Sequence, residues 1–62
     1  MRDIKNYKMI EIQFNKDKKQ YLIGIDKKNL IDINIYKENT EICLFTELGI
    51  NEKRLNEILR IY

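Results

Sequence analysis

The sequence predicts an α+β fold: an antiparallel β-meander of three to four strands packed against one C-terminal α-helix. The strands fall over 7–14, 20–26, 30–37 and 41–46, and the helix over 51–61. Two observations carry this. Apolar residues alternate with polar ones in three successive stretches, the period of a strand with one buried face. The last stretch changes period, placing Leu55, Ile58, Leu59 and Tyr62 on one side of a helix.

In the first stretch Ile10, Ile12 and Phe14 share a face, and in the second Tyr21, Ile23 and Ile25 do. Pairing Phe14 with Tyr21, Ile12 with Ile23 and Ile10 with Ile25 keeps every apolar residue on one side. A one-residue slip would turn that set to water, so the register is well determined. Asn15 then faces Gln20, Lys16–Lys19 forms a four-residue loop, and Lys8 pairs opposite Lys27. Ile31, Ile33 and Ile35 continue the pattern, with Ile25 opposite Ile31 and Ile23 opposite Ile33. This leaves Lys27-Lys28-Asn29 as a three-residue loop, with Asn29 where a left-handed residue is needed.

Residues 41–48 read two ways. The β-favouring run Ile42-Cys43-Leu44-Phe45 shows no helical stripe, which favours a fourth strand. A helix capped by Thr40 and ended by Gly49 is the alternative. The final helix is signalled by Asn51 as N-cap and by the staple pair Ile50 and Leu55.

Sixty-two residues make one domain, near the lower limit for a self-sufficient core. Cys43 is the only cysteine and no histidine is present, so neither a disulfide nor a Cys–His zinc site can reinforce it. A partner chain, including a homodimer, is therefore expected. Ile, Lys, Asn and Tyr supply 32 of the 62 residues, while Pro, Ala, Val, Ser, Trp and His are absent. Such a bias follows AT-rich codons and weakens any functional meaning of lysine abundance. The lone thiol and the lack of a membrane-length apolar run lead to the expectation of a cytoplasmic protein without membrane contact.

Catalysis is not expected. No His or Ser is available for acid–base or nucleophilic work, and Cys43 in its apolar run reads as a small buried hydrophobe. Asp26, Asp32 and Asn34 miss calcium-loop spacing, and no cofactor, metal or small-molecule substrate is expected. Two binding surfaces remain. Lys8, Lys27, Lys28, Lys53 and Arg54 fall toward one end of the sheet, with two of them in the first helical turn, where cations oppose the helix dipole and could suit a phosphate. Tyr7, Met9 and Tyr36 fall on the outer sheet face and could anchor a protein interface. The net charge of +2 is split between a basic first half and an acidic second half, with Lys16, Lys18 and Lys19 at the opposite end of the sheet.

Residues 45–59 resemble the core of a helix-turn-helix, with Gly49 at the turn and the apolar Ile50 after it. The resemblance implies helical 41–48 and a nucleic-acid-binding or transcription-regulatory role. The leading expectation is a small non-enzymatic protein-binding module, such as a phage or mobile-element inhibitor of a host complex.

Overall fold

The computed structural model describes residues 10–62. Four strands and one helix follow in order: β1 (Ile10–Lys16), β2 (Lys19–Ile25), β3 (Ile31–Lys37), β4 (Cys43–Ile50) and α1 (Glu52–Ile61). The strands form one antiparallel sheet in the order β1-β2-β3-β4, an uncrossed meander. No helix among the described residues is long and apolar enough to cross a membrane.

The pairings of Phe14 with Tyr21, Ile12 with Ile23, Ile25 with Ile31 and Ile23 with Ile33 all form. The first connection is tighter than expected. Lys16 pairs with Lys19, so only Asp17 and Lys18 turn the chain, at φ 52° and 63°. Two consecutive left-handed residues match the right-handed twist of the flanking strands, which a looser loop would not. In the second turn Asn29 is left-handed as predicted, at φ 66°. There Asp26 Oδ1 accepts from the backbone N–H of Lys28 (2.8 Å) and of Leu30 (3.0 Å).

Residues 43–50 are a strand, and Thr40 has work outside any helix. Its hydroxyl donates to the Lys37 carbonyl (2.8 Å) and accepts from the Ile42 N–H (3.1 Å), closing the β3–β4 connection. The strand runs to Ile50, past the expected end at 46, because two bulges let it continue. One adds a residue near Cys43 and Leu44, the other near Leu48 and Gly49. Gly49 sits at φ 67°, so it serves a bulge rather than a helix end. The two-helix unit implied by the helix-turn-helix resemblance is thus absent: a strand occupies the place of its first helix.

Asn51 caps α1, its Oδ1 accepting from the Arg54 N–H at 2.9 Å. The helix buries Ile58, 1% exposed, against Tyr21, Ile23, Ile31, Ile33, Ile35 and Ile50. Burying one such isoleucine contributes roughly 2 kcal/mol. At the C-terminal end of α1, Tyr62 packs on Phe45 with ring centroids 4.7 Å apart. The helix lies over β2 to β4, while Ile10 and Ile12 on the same face of β1 stay about half exposed.

Candidate functional site

The sheet has two faces and two edges, and the candidate surfaces sort onto them. Ile50 pairs with Ile31, so the helix start comes to the end of the sheet that holds the β2–β3 turn. This places Lys27, Lys28, Lys53 and Arg54 at one end; Lys8 lies outside the described residues. The first three are exposed. Arg54 is engaged within the fold. Its Nε meets Glu47 Oε2 at 2.7 Å, its Nη2 donates to Glu47 Oε1 at 2.9 Å, and its Nη1 reaches Glu57 Oε1 at 3.3 Å. A first-turn cation that looked misplaced beside the helix dipole therefore ties α1 to β4. The hydrogen bond from Arg54, helped by its charge and opposed by partial desolvation, holds the Glu47 carboxyl below its usual range.

The second cation group, expected from Lys16, Lys18 and Lys19 at the opposite end of the sheet, forms a row that the four-residue loop did not foresee. Extending the register by one pair sets Lys16 opposite Lys19, and Lys19 opposite Lys37, in one row across three strands. Lys16 Nζ lies 5.8 Å from the centroid of the Tyr21 ring. The tight Asp17-Lys18 turn is the signal that would have revealed this row. Among the described residues these cations thus stand in two groups at opposite ends of strands about 20 Å long, with no single groove between them.

The outer face is polar toward β1. A shallow open hollow of about 510 Å³ lies there, where Gly24 offers no side chain between its cross-strand partners Glu11 and Asp32. Among the described residues no group of carboxylates or Cys could hold a metal ion. Asp26 serves its turn, Asp32 Oδ1 accepts from the Gly49 N–H (2.9 Å), and Asn34 Oδ1 accepts from the Thr46 hydroxyl (2.8 Å).

Toward β4 the same face turns apolar. Tyr36 is half-buried there and pairs with Cys43; Tyr7 and Met9, the other expected interface residues, lie outside the described residues. Cys43 is exposed, which corrects the expectation of a buried thiol. The bulge turns it to the outer side of an edge strand, where its sulfur lies 3.0 Å from Thr46 Oγ1. Leu44 (46% exposed) and Leu48 (64%) complete an apolar strip that the sequence reading did not single out. Its signal was an unbroken apolar run in the last strand of a meander, which has a sheet neighbour on one side only.

No known protein family, no curated protein and no solved structure matches this chain. The class its geometry defines is a four-stranded antiparallel meander backed by one C-terminal helix.

Proposed function

We propose that this chain is a small non-enzymatic binding protein that engages another protein through the outer face of β3 and β4. One observation carries the reading. The outer side of β4 exposes Leu44 and Leu48 beside Tyr36, and no Lys, Arg or Pro occurs from Cys43 to Ile50 to keep other chains away. Tyr and apolar side chains grouped on one exposed face are what protein contacts are built from. An accessory role, such as an inhibitor of a host complex carried by a phage or mobile element, suits the length and the AT-rich composition.

The nucleic-acid reading draws less from this geometry. Its cations are divided between the two ends of the sheet, and Arg54 is already bound by two carboxylates. The test is retention from an extract of the host cell on a tagged copy, compared with Tyr36→Ala. The expected result is a stoichiometric protein held by the wild type and lost by the variant. Retention of nothing, or equal retention by both, would overturn the proposal.

A further inference from the structure

The open edge of β4 has a self-complementary pattern, and we infer that it pairs with the same edge of a second copy about a two-fold axis at Thr46. The inference rests on the proposed role of β4 as a contact surface and names one occupant for its edge.

The direction of the backbone groups comes first. The Asp26 N–H donates to Leu30 O at 3.0 Å, and the Glu38 N–H to Lys18 O at 3.0 Å, so even-numbered residues of β3 direct their backbone toward β2. The Lys37 N–H donates to Ile42 O at 3.0 Å, so odd-numbered ones face β4. Phe45 and Glu47, opposite Ile35 and Ile33, turn their N–H and C=O inward to β3. By alternation Leu44, Thr46 and Leu48 turn theirs to the open edge. Among the described residues no strand pairs there.

An antiparallel ladder centred on Thr46 sets Thr46 against its own copy and Leu44 against Leu48 on either side. All three residues whose backbone faces outward then fall in hydrogen-bonded pairs, with Cα atoms about 5.5 Å apart. On the outer face the seam is a Thr–Thr pair flanked by two Leu–Leu pairs, all favourable cross-strand combinations. On the other face Phe45 lies opposite Glu47, whose carboxylate is already matched by Arg54. No like charges meet. An unrelated strand would have to supply this pattern, whereas a second copy supplies it by symmetry.

The edge of β1 contrasts with it. That strand carries Glu11 and Lys16 and leads into the Lys16–Lys19 turn, the usual means of discouraging strand addition. The two bulges of β4 bound the seam at Leu44 and Leu48, so pairing closes at a dimer with one eight-stranded sheet.

Light scattering on the purified chain across micromolar concentrations tests this. The expected mass is that of a dimer. Leu44→Lys with Leu48→Lys places lysine against lysine twice and should weaken association by at least about tenfold. Leu44→Lys with Leu48→Glu removes the same leucines but sets Lys against Glu in this register, and should associate more tightly than the double lysine variant. Amide exchange needs no substitution: exchange at Leu44, Thr46 and Leu48 should slow as wild-type concentration rises. A monomer throughout, a larger assembly, concentration-independent exchange at those amides, or equal behaviour of the two variants would each overturn the inference. Because Tyr36 lies outside the seam, loss of a host partner with the dimer intact separates failure of one proposal from failure of the other.

Discussion

Tyr21 shows how much one atom can weigh in a core this small. Its side chain is fully buried and stacks on Phe14 with centroids 4.9 Å apart and planes 5° from parallel. Among the described residues its hydroxyl has no hydrogen-bond partner, and leaving such a group dry costs about 1–3 kcal/mol. Tyr21→Phe keeps the stacked ring and removes the orphan, so we expect a gain of about 1 kcal/mol in urea denaturation. Burial first, and the charge of Asp17 second, push the phenol above its ordinary value of 10.0. The folded state therefore favours the neutral form. That contribution is intact below pH 10.0 and fades as pH rises through the raised value, a decline that Tyr21→Phe should abolish. Position 21 was legible in the sequence as an inward residue of β2. The fate of its hydroxyl was not, because alternation reports a side and says nothing about what lies above it.

At the scale of elements, turns were harder to read than strands. The register of β1, β2 and β3 followed from isoleucine spacing alone, because any slip would expose the whole set. The Asp17-Lys18 turn was masked by its neighbours: Lys16 and Lys19 look like loop residues and are in fact the last cross-strand pair. Lysine is strained at φ 63°, where an L-residue costs about 1 kcal/mol or more. Asp-Gly is the pair that such two-residue turns favour. Lys18→Gly should therefore stabilise the hairpin by about 0.5–1 kcal/mol, read as a higher thermal midpoint. The β4 segment was ambiguous for a related reason. Gly49 can end a helix or open a bulge, and only the pairing of Ile50 with Ile31 decides between them. Adding a Cβ there would meet nothing within 4 Å, so the need for glycine is conformational and not steric.

For the whole molecule, the join between helix and sheet combines apolar packing with one polar clamp. Ile58, Leu55, Leu59 and Tyr62 supply the packing, and their spacing was plain in the sequence. The clamp of Arg54 on Glu47 was not, because it links residues whose meeting depends on how β4 turns into α1. Glu47 is held below its ordinary value of 4.5, so the unfolded chain takes up its proton more readily than the folded one. The stability it lends is present above that value and is lost as pH falls through the lowered one. Acid unfolding followed by circular dichroism should show this loss, and Glu47→Gln should lower stability at neutral pH while flattening the acid limb. The candidate interface was half legible. Tyr36 was placed on the outer face, but Leu44 and Leu48 emerge only once β4 is known to be an edge.

The uncrossed meander also sets an order of events. Every strand pairs with its neighbour in sequence, so the sheet can assemble hairpin by hairpin through local contacts, each on a timescale of microseconds. The helix that shields Tyr21, Ile33 and Ile35 follows all four strands in the chain. If the sheet closes before the helix docks, its most apolar face stays bare until residues 51–62 pack on it. The interval before the helix docks is when the folding chain is most exposed to aggregation and to capture by chaperones.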